Sequence, residues 1–179
     1  MAFQILNGKG GAWLAEVTED GELVTRAITE AELEHASDKG KAFAWDSLEI
    51  NIDATDTMLF VRNDSDEHLH LTYATINGSD AICTWTIHIG AATTTPAGGA
   101  VVAGINLNER FSTVAPDTTA RSDETAVADG SIIGRVKTPI DNTHIQPLVG
   151  VILGKGHYIQ FTQVTESGRG SVILVGHYQ

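Results

Sequence analysis

The sequence predicts an all-β fold: a β-sandwich or jelly-roll body preceded by a short amino-terminal arm. Three observations predict it. Short apolar runs, several of them alternating strictly with polar residues, recur from residue 41 to the end. Turn-forming residues punctuate them, including 18 glycines in 179 residues, and tight turns need the positive φ that glycine adopts at low steric cost. No long helical pattern alternates with the runs, which disfavours a doubly wound α/β fold, and no fixed internal period suggests a propeller or solenoid.

The arm covers residues 1–40 and the body residues 41–179. The arm opens on Asn7-Gly8-Lys9-Gly10-Gly11, read as a flexible segment. Two β-like runs follow, Ala12 to Val17 and Glu22 to Ile28, joined by Thr18-Glu19-Asp20-Gly21, a good hairpin turn. Strands so short need a larger core or a neighbouring subunit to pack on. Thr29-Glu30-Ala31-Glu32 then fits a capping box, and Gly40 is placed to stop the helix it starts. At about ten residues that helix is marginal unless docked.

In the body, Phe43 to Trp45 begins the β structure, and Leu48, Ile50 and Ile52 alternate with Glu49, Asn51 and Asp53. Met58 to Val61 is a short buried run, and Leu69, Leu71 and Tyr73 alternate with His68, His70 and Thr72. Asn77-Gly78 reads as a hairpin signal leading into Ile82 to Ile89. Beyond the breaker-rich loop Gly90 to Gly99, further strands are expected at Ala100 to Leu107, Ser131 to Val136, Leu148 to Leu153, Tyr158 to Val164 and Ser171 to Tyr178. Ser112 to Gly130 is a long excursion, with room for one turn of helix. Turns at Gly154-Lys155-Gly156 and Ser167-Gly168-Arg169-Gly170 make the carboxy end look like a meander.

Composition narrows the function. Eleven basic residues against 23 acidic ones leave a formal charge of −12, with Lys and Arg scattered singly. A nucleic-acid binder needs a basic stripe to displace counterions from phosphates, so neither DNA nor RNA is an expected partner. An acidic surface suits solubility or a basic protein partner. The amino terminus carries no basic region followed by a long apolar stretch, and no run approaches the ~18 residues of a membrane span, so neither a secretion signal nor a membrane association is read. Cys83, the single cysteine, lies in an apolar run and is expected to be a buried, inert thiol.

No catalytic constellation emerges. Lys9 is followed by Gly10 and not by Ser or Thr before a helix, so the Gly-rich start is no phosphate loop. There is no Gly-x-Ser-x-Gly elbow, and acidic pairs are accounted for by capping and turns. The best metal candidate is the pair His68 and His70, two residues apart on a strand and so on one face, with a third ligand from Asp64, Asp66 or His88. Alternation with buried Leu69 and Leu71 accounts equally for both histidines as solvent-facing residues, and that plain reading is preferred. No cofactor is expected.

The amino-terminal half resembles a family of tailed-bacteriophage virion proteins. The resemblance rests on the Gly-rich start, Ala15-Glu16-Val17, the hairpin Asp20-Gly21-Glu22-Leu23, and Val24-Thr25-Arg26-Ala27-Ile28-Thr29-Glu30. It continues through Glu34-His35-Ala36-Ser37, Gly40-Lys41-Ala42-Phe43-Ala44-Trp45, and Phe60-Val61-Arg62-Asn63 with Leu69-His70-Leu71. It implies a non-enzymatic decoration (cement) protein, assembled in the host cytoplasm and bound to the capsid exterior, where it stabilises the shell. Such proteins are commonly trimers on the major capsid protein; Trp13, Arg26, Glu34 and His35 are then the expected attachment residues. A receptor- or carbohydrate-binding domain of a head or tail fibre, using the loops at 91–99 and 112–130, is the alternative.

Overall fold

The computed structural model describes residues 3–6, 12–17, 23–24, 32–52, 56–78, 83–92, 96–125, 127, 130–139, 142–164 and 168–179. The chain parts into two compact units, Met1–Ala31 and Glu32–Gln179. The first holds strands β1 (Phe3–Leu6), β2 (Ala12–Val17) and β3 (Leu23–Val24), in the antiparallel order β1-β2-β3. Pairing of Glu16 with Val24 and Val17 with Leu23 joins β2 to β3 across the segment read as a hairpin turn. Strand β1, paired with β2 from Phe3↔Ala15 to Leu6↔Ala12, lies in a stretch not expected to be ordered as β.

The second unit contains one helix, α1 (Glu32–Asp38), and thirteen strands among the described residues. These are β4 (Ala42–Asp46), β5 (Ile50–Ile52), β6 (Thr57–Asn63), β7 (Leu69–Gly78), β8 (Cys83–Ala91), β9 (Ala100–Val101) and β10 (Gly104–Asn106). After a 3-10 turn at Glu109–Phe111 come β11 (Thr118–Ser122), β12 (Ser131–Thr138), β13 (Asn142–Pro147), β14 (Ile152–Leu153), β15 (His157–Gln163) and β16 (Gly168–Tyr178). No helix among the described residues is long and apolar enough to cross a membrane.

The pairing is that of a jelly roll. Eight strands nest antiparallel: β4 with β16, β6 with β15, β7 with β13, and β8 with β12. Rolling this ribbon up brings β16 against β7 and β15 against β8. Two sheets result, with cores ordered β4-β16-β7-β13 and β12-β8-β15-β6. The insertion after β8 then extends both: β10 adds to β4, while β11 and β9 add beyond β6.

This wiring corrects several local readings. Strand β7 ends at Gly78 and β8 belongs to the other sheet, so Asn77-Gly78 is no hairpin turn. Gly78 is instead a packing glycine, since a Cβ there would lie 2.8 Å from Thr138 Oγ1 and 3.1 Å from Cys83 Sγ. The carboxy-terminal strands form no meander either, because β14 and β16 pair with β7 while β15 pairs with β6 and β8. The run Ala100 to Leu107 splits between the sheets as β9 and β10, and Leu148 to Leu153 shrinks to β14. Strand β13 was not foreseen; its one large aliphatic residue, Ile145, is exposed, and Pro147 at its end suits an edge.

The inward faces build one core. Phe43, Trp45, Leu69, Leu71, Ile76, Val172 and Leu174 come from one sheet, and Leu59, Val61, Trp85, Ile87, Ile159 and Phe161 from the other. Each such aliphatic or Phe side chain contributes on the order of 1.5–3 kcal/mol by leaving water. The two core indoles also satisfy their N–H groups: Trp45 Nε1 donates to Thr118 Oγ1 at 3.1 Å and Trp85 Nε1 to Thr138 Oγ1 at 2.9 Å. Cys83 is buried, as expected.

Helix α1 packs against β4 and β16 and so belongs to the jelly-roll unit, although it was read as part of the arm. It is seven residues long, and the Thr29 end of its expected capping box lies outside the described residues. Its end is well determined. Gly40, at φ +71, lets its own N–H reach Ser37 O at 2.9 Å and Lys41 N–H reach Ala36 O at 2.8 Å, a Schellman closure. Asn106 Nδ2 and Asn108 Nδ2 from the insertion donate to the carbonyls of Gly40 and Ser37, at 2.7 and 3.1 Å.

Candidate metal centre

Strands β7 and β16 are neighbours with a register that sets Leu69 opposite Tyr178 and His70 opposite His177. Leu69 and Tyr178 point into the core. The period of two turns His70 and His177 to the other face, the side on which α1 docks. Their rings lie 5.5 Å apart between centroids, tilted by 31°. Glu32, the first residue of α1, adds a carboxylate. One ring nitrogen from each histidine and one oxygen of Glu32 lie within 4.8 Å of one another. Among the described residues this is the one such convergence of three His, Cys, Asp or Glu side chains.

The members differ in exposure. Glu32 is exposed and His70 half-buried, while His177 is only 4% exposed. Burial lowers the pKa of His177, His70 beside it lowers it further, and the Glu32 charge opposes both, leaving the group below the ordinary imidazole value. The shift favours the neutral ring, the form that coordinates metals. Its Nε2 lies 3.4 Å from Gln179 Nε2, and its Nδ1 has no hydrogen-bond partner among the described residues. Two imidazoles and a carboxylate suit a zinc-class ion, whose ligands at ~2.1 Å stand about 3.4 Å apart, so rotamer adjustments of about 1 Å would close the site.

Of the ligands anticipated from sequence, only His70 joins this cluster. His68 is exposed just before β7. Asp64 is taken by Arg62 Nε at 2.7 Å and Thr119 Oγ1 at 2.6 Å, and Asp66 by Lys155 Nζ at 2.9 Å. His88 sits in the other sheet, with Nε2 2.8 Å from Thr86 Oγ1. His177 escaped sequence reasoning because nothing local to Gly176-His177-Tyr178 sets it opposite His70. Glu32 was legible only as a capping residue.

The described members of the expected attachment set fall on two elements, β2 and α1. Trp13 lies in β2 opposite Ile5, in the first unit. Arg26 lies outside the described residues. Glu34 and His35 are exposed on α1, and as consecutive helical residues they point about 100° apart. No known protein family, curated protein or solved structure matches the chain.

Proposed function

We propose that this chain is a non-enzymatic virion structural protein, a decoration protein that binds the outside of a capsid shell and stabilises it. The observation that carries the reading is the division of the chain at residue 31. Ahead of the jelly roll stands a separate sheet of strands only four, six and two residues long. Strands so short bury little apolar surface by themselves, so such a sheet is suited to completion against neighbouring subunits. Clamping ~600 Å² of apolar surface in that way supplies on the order of 15 kcal/mol gross, before ordering entropy is deducted. Repetition over many copies adds avidity.

Two further features support an assembly role. Val101, Ile105, Leu107 and Val114 are 76, 61, 44 and 43% exposed, and all four belong to the insertion between β8 and β12. Exposed apolar side chains of this size suit contact with a partner. The charge of −12 keeps the free protein soluble and favours a basic partner surface. The proposed assembly is a homotrimer on the major capsid protein, with Trp13, Arg26, Glu34 and His35 in the contact.

The test is light scattering of the purified chain, alone and mixed with capsids stripped of it. A trimer that rebinds shells in a fixed copy ratio, with occupancy lowered by Trp13→Ala and Arg26→Ala, is the expected result. Unchanged binding after deletion of residues 1–31, the first compact unit, would overturn the assignment. A chain that ignores capsids but binds host glycans would move the function to adhesion.

A further inference from the structure

We infer that Glu32, His70 and His177 bind one divalent zinc-class cation, which staples the start of α1 to strands β7 and β16. The inference stands apart from the decoration reading and rests on the geometry of the jelly-roll unit alone. The cross-strand histidine pair and the Glu32 carboxylate converge to within 4.8 Å. The second observation is the state of His177. Its side chain is 4% exposed, yet Nδ1 is without a partner among the described residues. A buried ring nitrogen left unpaired is unfavourable, and native proteins rarely leave one so. A cation bound at that nitrogen would satisfy it.

The donor set selects the ion. Calcium and magnesium prefer six or more oxygen ligands, whereas imidazole with carboxylate suits zinc and its first-row neighbours. Three protein ligands leave a fourth tetrahedral position for water. The outer shell is also at hand. Gln179 lies with its amide 3.4 Å from His177 Nε2. Turned so that its oxygen faces the ring, that amide accepts the Nε2 proton and frees Nδ1 for the metal. The three ligands come from α1, β7 and β16, so one ion would hold together segments far apart in the chain. Helix α1, seven residues long, gains most, because a helix of that length persists only when docked.

The experiment uses the full chain freed of metal with a chelator, titrated with Zn²⁺ in a calorimeter and with Co²⁺ in a visible spectrometer. One Zn²⁺ per chain is expected, with a tetrahedral Co²⁺ spectrum. At about 100 times the Kd, the Tm should rise by roughly 5–10 °C. Glu32→Gln and His70→Gln alter exposed and half-buried positions, so both should keep the fold, checked by circular dichroism. Each should weaken Zn²⁺ binding at least about tenfold, since even outer-shell losses cost that much. His68→Gln should bind as the wild type does. Absence of Zn²⁺ binding in the micromolar range would overturn the inference. So would wild-type affinity in both Glu32→Gln and His70→Gln, or a loss in His68→Gln equal to that in His70→Gln.

Discussion

Asn63, the last residue of β6, is fully buried, and all of its amide is used. Nδ2 donates to Glu67 O at 2.8 Å and to Leu153 O at 2.9 Å, while Oδ1 accepts from Ser65 N at 3.0 Å. One side chain thereby ties the turn after β6 to β14. Asn63→Ala removes three hydrogen bonds and strands two carbonyls and an amide N–H. At ~1 kcal/mol net for each bond, with a desolvation penalty for groups left dry, the cost is about 3–5 kcal/mol. For a chain of this size that lowers Tm by roughly 6–20 °C. Asn63→Asp should be worse at neutral pH, because a carboxylate oxygen then faces two carbonyl oxygens where the NH₂ group stood. Burial and those carbonyls raise the pKa of the introduced acid in the folded state. Its penalty is therefore full above the folded pKa and relieved as pH falls below the unfolded value, when an O–H donor returns. Thermal and urea unfolding of both variants at neutral and acidic pH measures this. The reasoning fails if Asn63→Ala costs under about 1 kcal/mol, or if Asn63→Asp is no less stable than Asn63→Ala at pH 7.

Two other predictions test the same jelly-roll unit. Burial pulls the Asp64 carboxyl upward, but hydrogen bonds from Arg62 and Thr119 and the Arg62 charge outweigh it and hold its pKa below the ordinary value. Its stabilising contribution is thus full above the unfolded carboxyl pKa and lost as pH falls through the lower folded one. Wild type should exceed Asp64→Asn in Tm at neutral pH and converge with it by about pH 2; a gap independent of pH would refute the pairing. At Gly99 a Cβ would stand 1.9 Å from Ser122 O and 2.5 Å from Asp123 O, both backbone atoms that cannot rotate away. Gly99→Ala should therefore cost about 1–3 kcal/mol by forcing the chain off β11; an unchanged melting curve would disprove that approach.

Much of the secondary structure was legible because its signals are local. Alternation at Leu69, Leu71 and their neighbours marked β7, the apolar run Met58 to Val61 marked β6, and Gly40 marked the end of α1. Period-two burial and a positive φ are properties of a few consecutive residues. Partners are not. Asn77-Gly78 carries the composition of a hairpin, yet the chain crosses there to the other sheet, and both sides of β7 are taken by β13 and β16. Strand β13 was invisible because its pattern is polar and it pairs as an edge strand with β7. The candidate site divides in the same way. His70 stood out from its own neighbours, His68 and Leu69. His177 became its counterpart only through a cross-strand register more than a hundred residues long in sequence, and Glu32 through the docking of a helix. Local patterning sets which residues alternate, turn and stop; the rolling of the antiparallel ribbon sets which of them meet.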